Sequence, residues 1–174
     1  MNKVILIGGE LATGKTTLAK SLSKKTGIPF FYKDVIKEIL ADQIGFANRD
    51  ENKNLSKTQF EIFFNISEQF IDAKKDLILE SNFKQEEVDR LNELFTNAGY
   101  KIISIVLDGD DDILYKRYLN RFANENRHPA HANFGNKDEF NDYNKNLLKV
   151  NYPGEVHKHT TNTFILIENI DYIY

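Results

Sequence analysis

The 174-residue chain contains no cysteine, which excludes a disulfide framework, a thiolate-ligated zinc or iron–sulfur site and a thiol nucleophile. Long apolar runs are missing as well. The opening stretch Val4–Ile7 is cut off by Gly8, Gly9 and Glu10, and no later run approaches the roughly 20 residues of a membrane span or forms a secretory h-region. A cytoplasmic protein in a reducing compartment is therefore expected. Three prolines and nine glycines are scattered without low-complexity tracts or repeats, so nothing marks a linker and a single domain over residues 1–174 is expected. Charge of one sign is lacking too: 23 basic against 26 acidic side chains, net −3, disfavour a sequence-blind binder of nucleic acid or membrane surfaces. What is present suits a globular core, with 41% hydrophobic residues.

The small net charge hides an asymmetry. Residues 1–40 carry seven basic and three acidic side chains, 41–114 carry eight and sixteen, and 115–174 carry eight and seven. The basic first segment also holds glycines, so an anionic ligand is electrostatically welcome there. Lys3–Ile7 reads as a strand buried on both faces. Leu18, Ala19 and Leu22 then recur at helical spacing over Lys15–Lys25, with Gly27 and Pro29 as the stop. Further along, Ile28–Tyr32 reads as a strand, Val35–Ile44 as a helix opening at Asp34, Thr58–Lys74 as a longer helix and Asp76–Glu80 as a third strand. Gln85–Asn97 is helical and Lys101–Leu107 is a fourth strand. A helix over Asp112–Phe122, a polar loop over 123–136, a weak helix over 137–149 and a fifth strand Thr163–Ile167 complete the pattern. Alternating strands and helices predict an α/β sandwich with a mainly parallel sheet and a ligand at the carboxyl ends of its strands.

At the end of the first strand stands Gly9-Glu10-Leu11-Ala12-Thr13-Gly14-Lys15-Thr16, a full G-x-x-x-x-G-K-[ST] phosphate loop. This composition yields about 0.004 accidental matches, and the strand-before, helix-after context is also present. Gly9 and Gly14 let the backbone turn its N–H groups inward, and the new helix offers its positive end. Lys15 bridges the β- and γ-phosphates, the Thr16 hydroxyl ligates Mg²⁺ and Thr17 reaches the α-phosphate. A signalling GTPase needs D-x-x-G and N-K-x-D after strands. Here Asp42–Gly45 follows a helical stretch, and Asn136–Glu139 has Glu in place of the guanine-reading Asp.

Beyond the phosphate loop, Asp34 in Tyr32–Lys37, Glu80-Ser81-Asn82 at the end of the third strand and an arginine series after the fourth resemble the small P-loop kinases, the superfamily of adenylate, shikimate and gluconate kinases. The zeta-toxin-like and polynucleotide-kinase-like branches of AAA-type ATP-binding kinases are nearest in pattern. The resemblance implies a three-layer sandwich, a P-loop NTPase fold with a five-stranded parallel sheet in the order 2-3-1-4-5, an acceptor-covering segment at about 34–75 and a lid at about 117–136. By it, Asp34 orients the acceptor hydroxyl, although Asp34 also suits a helix cap. Glu80 addresses the Mg²⁺ shell or the substrate, where the family usually has Asp. Asn82 lies near the acceptor or phosphate, Arg117 and Arg121 meet the charge of transfer, and Arg127 follows as a third contact. The bland alternative for the arginines is a solvated face paired with Asp111, Asp112 or Glu125. His128 and His131, flanking a proline, are weak metal evidence and fit a lid or substrate contact better. Phe60, Phe63, Phe64 and Phe70 at near-helical spacing read as core, with Phe63 or Phe64 within reach of substrate.

The expected function is ATP- and Mg²⁺-dependent phosphoryl transfer to a hydroxyl of a small molecule: a nucleoside, sugar derivative or antibiotic. A polynucleotide 5′-hydroxyl kinase is the alternative, disfavoured by the acidic segment 41–114. A non-catalytic ATP-binding regulatory module is the third reading.

Overall fold

Alternation along the first strand already dictates the layers. In β1 (Lys3–Gly9), successive side chains point to opposite faces, so Val4 and Leu6 enter one core while Ile5 and Ile7 enter another. Helix α1 (Lys15–Thr26) covers the Ile5/Ile7 face with Leu18, Ala19 and Leu22. The opposite face receives Phe60 and Phe63 of the 24-residue α3 (Arg49–Asp72) and Val88, Leu91 and Phe95 of α4 (Gln85–Asn97). The aromatic series of α3 is thus core: Phe60 and Phe63 are buried and Phe64 and Phe70 pack against them. The structure, a computed structural model, describes residues 1–124, 128–131 and 133–162.

The remaining elements are β2 (Phe30–Tyr32), α2 (Lys33–Ile44), β3 (Leu77–Glu80), β4 (Lys101–Asp108), α5 (Asp111–Asn124), α6 (Lys137–Leu148) and β5 (Glu155–Thr160). All pairings are parallel and the order is β2-β3-β1-β4-β5, the order that the kinase resemblance implies. The helix α3 begins nine residues before the Thr58 start read from periodicity, because the Asn48 side chain accepts the N–H groups of Asp50 and Glu51 and nucleates a polar first stretch. The helix α2 begins at Lys33, so Asp34 lies inside the first turn and does not cap it; the cap position is Tyr32.

The fifth strand is the clearest correction. The expected strand Thr163–Ile167 lies outside the described residues, and the position beside β4 is taken by Glu155–Thr160, from Ile103↔Glu155 to Asp108↔Thr160. Its sequence Glu-Val-His-Lys-His-Thr escapes a search for apolar runs because the strand is largely exposed. Backbone contact at its start sets its place. Gly154 (φ +75°) lies so close to β4 that a Cβ would stand 2.2 Å from the Ile102 carbonyl oxygen, and the Ser104 hydroxyl donates to the Pro153 carbonyl at 2.6 Å. Among the described residues no helix is long and apolar enough to cross a membrane.

Candidate active site

The carboxyl end of the sheet is where β1 hands over to α1, and the loop between them is tied down from three sides. At Gly9 (φ +107°) a Cβ would stand 2.0 Å from the Leu107 carbonyl oxygen, so only glycine lets β1 run this close to β4. The Glu10 N–H donates to that same carbonyl at 2.8 Å. Its carboxylate, buried within the fold, accepts the Gly109 N–H at 2.9 Å. Burial pushes the Glu10 carboxyl above the usual carboxylate range, with the Gly109 N–H opposing. The Leu11 N–H donates to Oδ1 of Asn144, a fully buried residue of α6. The N–H groups of Glu10 and Leu11, both expected to face phosphate, are therefore committed to protein acceptors. The rest of the loop bends through Ala12 (φ 61°) and Gly14 (φ 90°), with the Thr13 hydroxyl on the Glu10 carbonyl at 2.8 Å. The first amide to bond back within α1 is Leu18, onto Gly14. Lys15, Thr16 and Thr17 thus present the first-turn amides that a helix cannot satisfy itself, and no acidic residue stands in that turn. This is a cradle for anionic oxygens.

Lys15 is 6% exposed, with Nζ 2.5 Å from the Glu10 carbonyl oxygen and 3.3 Å from that of Gly9. Burial holds its pKa below the ordinary lysine value, while the carboxylates of Glu80 and Asp34 oppose the shift and Arg121 adds to it. The Thr16 hydroxyl donates to Oε2 of Glu80 at 2.8 Å. Pairing Ile7↔Glu80 places that carboxylate at the end of β3. Burial pushes Glu80 above the carboxylate range, against the pull of Lys15 and the Thr16 hydrogen bond. A hydroxyl and a buried carboxylate 2.8 Å apart at the mouth of an amide cradle suit Mg²⁺, which takes few protein ligands and completes its shell with phosphate and water oxygens.

The arginines separate. Arg121 lies within the field of Lys15 and Glu80. Arg117 instead donates to the carbonyls of Thr161 at 2.7 Å and Asn162 at 3.3 Å, so its guanidinium engages the segment after β5. Arg127 lies outside the described residues. The histidines reach carboxylates of α2: Nε2 of His128 is 3.0 Å from Asp42 and Nε2 of His131 is 2.6 Å from Glu38. The Ala130 carbonyl accepts from Nζ of Lys37 at 2.7 Å and Nδ2 of Asn52 at 3.3 Å. The stretch 128–131 is thereby fastened to the helices expected to cover the acceptor.

Beside the phosphate loop lies a cavity of about 460 Å³ whose wall includes Leu11, Asp34, Ser81, Asn82 and His131. Asp34, exposed in the first turn of α2, belongs both to this wall and to the charge cluster around Lys15. Ser56 and Gln59 carry α3 into the wall, while neither Phe63 nor Phe64 reaches it. The side-chain oxygens of Ser81 and Asn82 are buried with no protein partner among the described residues. Three supports escaped the sequence. Asn144 is a buried amide on the face of α6 that also buries Phe140 and Leu147. Lys33 and Glu87 form a buried ion pair at 2.7 Å. Tyr152 fills the space beneath Gly8, where a Cβ would stand 1.9 Å from its hydroxyl, and its burial pushes that hydroxyl well above the usual tyrosine range. Only Gly8 carried a signal, as an additional glycine before the motif.

Comparison with known proteins agrees with this geometry. The family described as an AAA domain matches residues 5–142. Shikimate kinase of Flavobacterium psychrophilum is 29% identical over 163 residues, covering 87% of this chain and 84% of that protein. A crystal structure from Chloroflexus aurantiacus, provisionally described as a kinase, superposes with a TM-score of 0.82 at 26% identity, covering 98% of this chain and 92% of that one. A gluconokinase from Sinorhizobium meliloti shares the fold at TM-score 0.57 and 15% identity, over 93% and 83% of the two chains. With phosphate loop, sheet order and family match in agreement, the chain belongs to the AAA-domain family and is a P-loop kinase.

Proposed function

We propose that the protein transfers the γ-phosphoryl group of ATP, with Mg²⁺, to a hydroxyl of a small molecule held in the cavity beside Asp34. Residues of about 34–75 cover the acceptor and about 117–136 form the lid. The observation that carries this reading is the double membership of Asp34, which lines the cavity and also lies in the field of the phosphate-loop lysine. Bound Mg·ATP supplies an electrophilic phosphorus whose charge is already partly neutralised. The amides of residues 12–17 and the α1 terminus hold the phosphates. Lys15 exchanges its carbonyl partners for phosphate oxygens, and its low hydration in the buried loop strengthens that contact. Thr16 and Glu80 hold the cation, Glu80 from its place behind the hydroxyl. Asp34 aligns the acceptor O–H and receives its proton as the O–P bond forms and the bond to the ADP leaving group breaks. Arg121 offsets charge gathering near the β,γ-bridge. Gly9, Glu10, Leu11 and Asn82 shape the loop and the cavity wall.

A screen with radiolabelled ATP against pooled nucleosides, sugars, sugar acids and aminoglycosides tests the proposal. Lys15→Ala is expected to abolish transfer and weaken ATP binding, and Asp34→Asn to abolish transfer while ATP binding persists. Intact transfer in Asp34→Asn would sink the role given to Asp34. Tight ATP binding with no turnover on any acceptor would favour the regulatory reading.

A further inference from the structure

The charge of the cavity differs from the charge of the segments that build it. Residues 41–114 are the acidic part of the chain, yet between them they contribute one carboxylate to the wall, Glu87, and one lysine, Lys84. In total the wall has four lysines, Lys33, Lys37, Lys84 and Lys149, against Asp34 and Glu87. Glu87 is already spent on Lys33, with both carboxylate oxygens on Nζ at 2.7 and 2.8 Å. Lys37, Lys84 and Lys149 therefore stand against Asp34 alone, and His131 is engaged by Glu38. Lys84 has a carboxylate, Glu86, only at 3.7 Å, and Lys149 donates to the neutral Oδ1 of Asn146 at 2.8 Å. Two hydrogen bonds between Gln85 and Asn151, at 2.7 and 3.4 Å, tie the start of α4 to the chain just after α6. The two segments that carry Lys84 and Lys149 are thus joined, and both lysines line the cavity. The wall also holds Ser81, 3% exposed, whose buried hydroxyl oxygen has no protein partner among the described residues.

Like charges gathered around a cavity repel unless an anion lies between them. The same repulsion acts on Lys37. Burial holds its pKa below the lysine range, and the nearby cations Lys33 and Lys84 push it the same way, against Asp34.

We infer that Lys84, Lys149 and Ser81 in the cavity wall supply an anion subsite, so that the acceptor is a small hydroxylated compound bearing a carboxylate or phosphate. This rests on the proposed phosphotransfer, because it assigns the acceptor's second functional group. A compound with one hydroxyl at Asp34 and one anionic group at the lysines is held at two points, which orients the hydroxyl. A neutral polyol lacks the second anchor.

Two matched series test the subsite on the full chain: glucitol, gluconate and glucitol 6-phosphate, and glycerol, glycerate and glycerol 3-phosphate. Binding is measured by calorimetry without ATP and transfer is measured separately with ATP. In at least one series an anion is expected to bind about tenfold or more tightly than its neutral parent, and that preference is expected to shrink with added salt. Whether carboxylate or phosphate leads identifies the anion. In Lys84→Met/Lys149→Met the preference is expected to fall below about threefold. Equal binding of neutral and charged members, a preference that survives the double substitution or ignores salt, or failure of every anion to bind overturns the subsite. Preferential anion binding without transfer to any compound upholds the subsite and counts against the phosphotransfer reading alone.

Discussion

The ion pair between Lys33 and Glu87 offers a quantitative test of how the cavity wall is held. Both side chains are nearly out of water, at 9% and 7% exposure, and Nζ contacts both carboxylate oxygens. Lys33→Met keeps most of the aliphatic stem and removes the charge, so packing changes little. Glu87 is then a buried carboxylate whose remaining protein donor is the Lys84 N–H at 3.0 Å. Stranding one partner of a buried pair costs about 3–5 kcal/mol. For a domain of this length each kcal/mol lowers Tm by about 2–4 °C, giving a fall of about 6–20 °C. Lys33→Met/Glu87→Leu removes both charges. What it still loses is the Glu87 bond to the Lys84 N–H at the start of α4, worth about 1 kcal/mol. The double variant is therefore expected to be the more stable of the two, by about 2–4 kcal/mol. Urea unfolding of the wild type and both variants, with thermal scans as a check, decides it. A Lys33→Met cost below about 1 kcal/mol, or a double variant as unstable as the single, would refute the assignment of a desolvated pair.

Three further outcomes are expected. Glu80 has its pKa raised above the ordinary 4.5 by burial, so its contribution to stability is complete below about 4.5 and is lost as pH rises through the raised value. Glu80→Gln should accordingly make the urea midpoint fall less over that interval, and an unchanged pH profile would count against a buried carboxylate. Gly9→Ala, with its Cβ placed 2.0 Å from a backbone oxygen at φ +107°, should cost about 3 kcal/mol or more; unfolding indistinguishable from wild type would contradict the close approach of β1 to β4. Arg121→Ala should lower kcat by about 10²-fold, whereas Arg117→Ala should act mainly on unfolding through its two carbonyl bonds. Equal effects of the two on both readouts would contradict their separation.

The sequence made the phosphate loop legible because its residues are contiguous and each is required by a local backbone or charge demand. The same holds for α1 with its Gly27 stop, and for α4, whose Gln85–Asn97 limits match the periodic reading. Strands buried on both faces announced themselves as apolar runs. The strand β5 did not, since much of its surface is exposed, and its place depends on Gly154 and Ser104 contacting backbone across the sheet. Asp34 was found for its position after the second strand, yet its place in both the cavity wall and the Lys15 cluster emerges only on folding.

By itself, then, the sequence determined the class of fold and the place of the phosphate loop, because these rest on local periodicity and a contiguous motif. Tertiary structure decided which loop amides remain available, which of Arg117 and Arg121 stays near Lys15 and Glu80, and the sign of the charge around the cavity beside Asp34. A segment's net charge says nothing about which of its side chains face inward. Of the sixteen acidic residues in 41–114, Glu87 alone lines the cavity, neutralised by Lys33, while Lys37, Lys84 and Lys149 line it as well.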